Sequence, residues 1–135
     1  MRAAVLALAA LAVLLFVATC TTAPKLPEGV VKQSRTVDCA GTSVRVDFYF
    51  RESAAARPGV VVAHGFSRSR RHMAGWGVAL AERGMVVAVL TQPHWAGHMR
   101  NADAIARLAE AGRRGEWPTL VNGRMGLVGF SMGGL

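Results

Sequence analysis

The stretch that decides the fold of this sequence is Gly129-Phe130-Ser131-Met132-Gly133-Gly134. It follows an apolar run, 125–128, and it contains the pattern Gly-x-Ser-x-Gly. In this pattern the chain turns sharply from a strand into a helix and holds the serine in a strained conformation above the carboxyl edge of a sheet. We therefore predict that Ser131 is a nucleophile. Glycine is expected to be required at Gly129 and Gly133 because side chains would clash there. Gly134 is expected to relieve crowding further along the helix.

The segments before this turn alternate between strands and helices. Two continuous apolar runs, 59–63 and 85–90, are typical of parallel strands covered on both faces, and the run 125–128 is predicted to be a third buried strand. A helix is predicted over 73–83, before Gly84, with an apolar face of Trp76, Ala79 and Leu80. A second helix is predicted over 101–111, closed by Gly112, with Asn101 as its N-cap and an apolar side of Ile105, Leu108 and Ala109.

An antiparallel hairpin is predicted at one edge of the same sheet. The segment 44–50 mostly alternates apolar and polar residues, as a strand with one buried face does. A short strand over 35–39 would pair with it through a turn at Ala40-Gly41. The order of elements therefore predicts an α/β fold with a doubly wound, mainly parallel sheet over residues 35–135.

A second motif, His64-Gly65-Phe66, directly follows the first parallel strand. Together with the serine turn it resembles the α/β-hydrolase superfamily, and loosely its dienelactone-hydrolase-like and chlorophyllase-like esterases, over residues 37–135. The resemblance implies that the backbone amides of Phe66 and Met132 form an oxyanion hole beside Gly65, and that His64 is structural, orienting the loop through its ring nitrogens.

The resemblance also implies a reaction. Ser131 would attack the carbonyl of a small-molecule ester, and water would hydrolyse the acyl-enzyme without a metal or an organic cofactor. In this fold the acid and the histidine of the triad follow the serine in the chain, so both are expected beyond Leu135, and the chain is expected to be the N-terminal portion of a longer hydrolase. Asp103 and Glu110 precede the serine and are not expected to be the acid. On its own the chain is expected to be inactive and poorly soluble, with an open sheet edge beside the serine strand.

Other interpretations of these residues remain open. His64 could be a catalytic base instead of a structural residue. His94 and Trp95 are expected to shape the rim of an acyl or alcohol pocket, whereas a zinc site at His94, His98 and Asp103 is not favoured. The same turn also occurs in peptidases and acyltransferases. A rival of another class is a non-catalytic envelope protein or binding module that keeps the fold without a triad.

The N-terminus is predicted to be a secretory signal, 1–23, followed by a linker, 24–34. A basic start precedes the apolar run 3–18, and the sequence Val17-Ala18-Thr19-Cys20 resembles a bacterial lipobox with Cys20 as the lipidation site. Cleavage after Ala23 and an uncleaved anchor remain alternatives. The protein is therefore expected to be exported to the periplasm or cell envelope, with possible membrane attachment through Cys20. Cys39 is expected to be a small buried apolar residue.

Composition narrows the function classes. An apolar fraction of 52% with 18% charged residues is typical of a globular domain and argues against disorder. The net charge of +8 raises nucleic acid as a partner, but the arginines are scattered and are not interleaved with stacking aromatics. We therefore predict no nucleic-acid partner.

Overall fold

The structure, a computed structural model, describes residues 23–134. Nearly all of the predicted signal segment, including Cys20, lies outside the described residues. Five strands form one sheet: β1 (Val30–Asp38), β2 (Ser43–Arg51), β3 (Arg57–Ala63), β4 (Val86–Leu90) and β5 (Val121–Gly129). Two α-helices, α1 (Ala74–Glu82) and α2 (His98–Arg113), alternate with the last three strands. Single 3-10 turns lie at Arg70–Met73 and at Ser131–Gly134.

The strand order in the sheet is β1-β2-β4-β3-β5. Strand β3 is parallel to both β4 and β5, whereas β2 is antiparallel to β1 and to β4. The β1/β2 hairpin turns at Ala40 and Gly41, whose φ angles are 55° and 83°, as the predicted turn requires. Within residues 23–134 the mainly parallel α/β sheet predicted from the sequence is confirmed, with the hairpin at one edge.

The two helices lie on opposite faces of the sheet, which makes it doubly wound. Helix α1 packs with Tyr49 and the odd-numbered side of β4, at Val87 and Val89. Helix α2 packs with Trp117 on the other face, where the edge of the indole meets the ring of Phe48 at 5.5 Å between centroids. The indole Nε1–H of Trp117 donates a hydrogen bond to the Leu108 carbonyl at 3.0 Å. Burial of apolar side chains on both faces supplies the main stabilisation of the sheet.

The prediction that β2 has one buried face is wrong, because side chains on both of its faces are buried. Asp47 and Tyr49 are as deeply buried as Val46 and Phe48. Strand β1 begins at Val30, so it extends into the segment predicted as linker up to residue 34. Val30 is buried against the α1 side of the sheet, and this contact favours the earlier start.

The predicted apolar face of the first helix is wrong at Trp76, whereas Leu80 is half-buried and packs against the core. Trp76 is 52% exposed, and the buried face consists of the small or short residues Ala74, Gly77, Val78 and Ala81. A Cβ added to Gly77 would lie 2.5 Å from Cδ2 of Tyr49, so the helix approaches the sheet too closely for a large residue. Gly84, at φ +81°, follows this helix as predicted.

Helix α2 begins at His98, three residues before its predicted start. Asn101 is therefore inside the helix and buried, and its prediction as N-cap is wrong. Leu108 is fully buried as predicted, while Ile105 and Ala109 are half-buried. Gly112 does not close the helix but lies under the indole of Trp117, where an added Cβ would be 2.8 Å from Cε2.

Strand β5 was predicted to be buried, but in the described sheet it is the outer strand and is largely exposed. Leu127 is 57% exposed, and an apolar groove of about 390 Å³ runs between β5 and α2. Cys39 is buried in the core as predicted, and burial raises the pKa of its thiol. Within residues 23–134 no helix combines the length and the apolar character needed to cross a bilayer.

Candidate active site

The serine turn lies at the carboxyl end of β5. Ser131 is exposed and has a φ of 54°, in the left-handed region that costs a residue with a Cβ about 1–2 kcal/mol. The amide of Phe130 donates to the Ala63 carbonyl at 3.1 Å, and the amide of Gly133 donates to the Phe130 carbonyl at 3.0 Å. The first bond ties the turn to the end of the neighbouring strand β3 and the second closes the turn itself, so the strained serine is held in a fixed position.

The glycines around Ser131 differ in how much space they have. A Cβ on Gly133 would lie 2.6 Å from the carbonyl oxygens of both Ala63 and His64. A Cβ on Gly129 would overlap the backbone of Gly133 and Gly134. A Cβ on Gly134 would lie 3.5 Å from its nearest neighbour, an ordinary contact, so the prediction that Gly134 relieves crowding is wrong. The turn needs glycine at 129 and 133 because backbone atoms fill the space there.

His64 is buried, and backbone groups occupy both of its ring nitrogens. Nε2 accepts a hydrogen bond from the amide of Gln92 at 2.9 Å, which leaves Nδ1 protonated to donate to the Gly65 carbonyl at 2.7 Å. Burial lowers the pKa of His64 and keeps the ring neutral. This geometry supports a structural role, because neither nitrogen is free to take a proton from Ser131.

The loop after β3 lies directly against the serine turn. A Cβ on Gly65 would lie 2.9 Å from the Phe130 carbonyl oxygen and 3.2 Å from Cβ of Ser131. The backbone amide of Phe66 finds no hydrogen-bond acceptor among the described residues. Met132 follows Ser131 in the 3-10 turn Ser131–Gly134. The structure thus places the loop of Gly65 against the serine turn, and the oxyanion hole made by the Phe66 and Met132 amides stays a prediction.

Exposed aromatic side chains surround this loop. The rings of Phe66 and Trp95 meet at 4.9 Å between centroids, and Trp95 is 75% exposed. Together with His64, His94 and Pro93 they line a cleft of about 200 Å³. The side chain of Asn101 fixes the backbone of His94, because it accepts from the His94 amide at 3.0 Å and donates to the His94 carbonyl at 2.7 Å. The position of His94 and Trp95 fits the predicted rim.

An ionic cluster on the hairpin side was missed by the sequence reasoning. The carboxylate of Asp47 is 2% exposed and pairs with Nζ of Lys32 at 3.1 Å and with Nε of Arg70 at 2.9 Å. The hydroxyl of Ser34 donates to the same carboxylate at 2.7 Å. Burial alone would raise the pKa of Asp47, but the hydrogen bonds from these three partners outweigh it and lower the pKa. The only sign of this cluster in the sequence was the charged residue Asp47 within the predicted strand 44–50.

The remaining acidic and histidine side chains lie away from the serine turn or on the surface. Asp103 pairs with Arg107, and Glu110 pairs with Arg113, all on the exposed side of α2. His72 and His98 are exposed. In the part of the chain that the structure describes, no three histidine, cysteine or acidic side chains are grouped as metal ligands would be.

Comparison with known proteins shows the fold. No family model and no curated protein matches the chain. Among solved structures, a bacterial heroin esterase is 21% identical with a TM-score of 0.68, over 93% of this chain and 42% of that chain. A ferulic acid esterase from Streptomyces cinnamoneus is 16% identical with a TM-score of 0.69, over 84% of this chain and 55% of that one.

A dienelactone hydrolase from Anabaena variabilis is also similar, at 15% identity and a TM-score of 0.62, over 79% of this chain and 55% of that chain. The chain therefore spans about two fifths to a little over half of the length of these structures. They share one arrangement of strands and helices with it, and their names are those of carboxylic ester and lactone hydrolases.

Proposed function

We propose, from the premise that this chain has the fold of the α/β-hydrolase superfamily, that it carries the nucleophile and the oxyanion loop of a serine carboxylic-ester hydrolase. The observation that carries the proposal is the exposed Ser131, held at a φ of 54° against the loop of Gly65. A strained, exposed serine at the carboxyl end of a parallel strand is the arrangement that this chemistry requires.

The reaction follows from the roles of these groups. Ser131 Oγ attacks the ester carbonyl carbon, while its proton passes to a histidine that we place outside the described residues. The amides of Phe66 and Met132 stabilise the oxyanion, and each such donor contributes about 2.7–4 kcal/mol to the transition state. The alcohol leaves with the proton, and water then releases the acid from the acyl-enzyme. The cell envelope is the location we propose, with Cys20 as the lipid attachment point.

Labelling of the full-length protein with a fluorophosphonate probe tests this function. The wild type should be labelled, and Ser131→Ala should abolish the label without a change in the circular dichroism spectrum. Ser53→Ala is the matched control, because Ser53 lies in the loop between β2 and β3, at the opposite end of the sheet, and should leave the label intact. Labelling that survives Ser131→Ala would refute Ser131 as the nucleophile, and a wild type that is never labelled would favour the non-catalytic alternative.

A further inference from the structure

A second cleft lies beside the candidate active site and is lined by three arginines. It has a volume of about 490 Å³, and its walls include Arg45, Arg70 and Arg71 together with Thr91, Gln92 and Pro93. Its lining contains no carboxylate. Gln92 and Pro93 also line the smaller cleft at the Phe66 loop, so the two clefts are neighbours. We call it the arginine cleft.

The central arginine is held in place before any ligand arrives. Nε of Arg70 donates to Asp47 at 2.9 Å, and its NH1 group donates to the Thr91 hydroxyl at 3.4 Å. The side chain is 18% exposed and is one of the residues that line the cleft. Because the guanidinium is already ordered, a ligand that binds it would lose little additional side-chain entropy.

The charge balance of the cleft favours an anion. Asp47 compensates only one of its two cationic partners, Lys32 and Arg70, so this cluster keeps one net positive charge. Arg45 and Arg71 are exposed and form no ion pair among the described residues. The Thr91 hydroxyl accepts hydrogen bonds from Arg70, which leaves its own proton free to be donated to a ligand.

We propose that the arginine cleft binds a phosphate-type oxyanion. Guanidinium groups match the oxygens of a tetrahedral oxyanion in paired hydrogen bonds, and the hydroxyl of Thr91 adds a neutral donor. Such an oxyanion can come from a soluble phosphate or from the headgroup of an anionic phospholipid. The proposal does not depend on the chemistry of Ser131, so either can fail without the other.

Two binding measurements on the full-length protein test the proposal. In the first, the melting temperature is followed in sodium phosphate against sodium chloride at constant ionic strength, since a ligand that binds the folded state raises it. In the second, the protein is sedimented with vesicles of phosphatidylglycerol or of phosphatidylcholine, and the cleft is measured by the excess binding to phosphatidylglycerol, because a lipid anchor at Cys20 would insert into both. Arg45→Gln with Arg71→Gln removes two cleft charges, and we expect it to weaken phosphate or phosphatidylglycerol binding by about tenfold or more.

The matched control is Arg100→Gln with Arg124→Gln. These arginines are exposed, are unpaired within residues 23–134, and lie outside the cleft, so the control makes the same change in net charge. If the cleft variant loses the stabilisation by phosphate and the control does not, the ligand is a soluble phosphate. If the cleft variant loses phosphatidylglycerol binding and the control does not, the ligand is a lipid headgroup. An equal loss in both double variants, or binding of neither probe by the wild type, would overturn the proposal.

Discussion

The crowding at Gly133 makes a quantitative prediction for Gly133→Ala. The new Cβ would lie 2.6 Å from the carbonyl oxygens of Ala63 and His64. Both oxygens belong to backbone at the end of β3, which cannot move aside as a flexible side chain could. The φ angle of Gly133 is outside the left-handed region, so the cost comes from space alone.

The magnitude follows from the contacts that must shift. Forcing a methyl group into a filled site costs about 1–3 kcal/mol. Relief of the overlap would also stretch the hydrogen bond from the Phe130 amide to the Ala63 carbonyl. Weakening this hydrogen bond adds about 1 kcal/mol to the loss of stability. We expect the free energy of unfolding to fall by about 3 kcal/mol, which lowers the urea midpoint by about 1.5 M for an m-value near 2 kcal/mol/M.

The assay is urea unfolding of the full-length protein, with Gly134→Ala as control. A Cβ on Gly134 meets its nearest neighbour at 3.5 Å, so the control should stay within about 0.5 kcal/mol of the wild type. We also expect Gly133→Ala to slow fluorophosphonate labelling, because the displaced turn carries Ser131. Equal urea midpoints for the two variants would refute the described packing of the turn.

Two further predictions concern the sheet and its covering helix. Asp47→Asn should lower the free energy of unfolding by about 3 kcal/mol, because it leaves Lys32 and Arg70 without their buried partner. Since the pKa of Asp47 is lowered from 3.8, the contribution of Asp47 to stability is present above pH 3.8 and is lost as pH falls through the folded-state pKa. The acid-induced loss of stability measured for the Asn variant should lack this component. Gly77→Ala should destabilise the protein by about 1–3 kcal/mol, because the new Cβ would meet the Tyr49 ring. Gly75→Ala has open space around it and should stabilise the protein by about 0.5–1 kcal/mol in thermal unfolding. A Gly77→Ala variant more stable than Gly75→Ala would contradict the close approach of α1 to the sheet.

Patterns of apolar residues were enough to predict the order of elements and the position of the serine turn. The apolar runs that form β3 and β4 are continuous and rich in β-branched valine, and each ends at a turn signal. Their composition and their length therefore both indicate buried strands. The position of Ser131 followed from the Gly-x-Ser-x-Gly pattern, because Gly129 and Gly133 have a steric reason to be there.

The side-chain directions were harder to predict because they depend on tertiary contacts. Trp76 is apolar but faces outwards, since α1 approaches Tyr49 through glycine and alanine. Asp47 is charged but buried, since its partners come from β1 and from the 3-10 turn after β3. Asn101 has the chemistry of an N-cap, yet its amide holds the His94 backbone instead. The partners of Asp47 lie 13 to 23 residues away in the chain, and His94 belongs to the loop before the helix of Asn101 rather than to its first turn.

The unequal environments of the three tryptophans give the protein an intrinsic optical reporter. Trp117 is 5% exposed, while Trp76 and Trp95 are 52% and 75% exposed. A soluble quencher should therefore suppress emission from the two outer indoles and leave a blue-shifted component from the inner one. The residual emission of Trp117 would report on the packing of α2 on the sheet. The quenchable emission of Trp95 would change when a molecule binds beside the Phe66 ring.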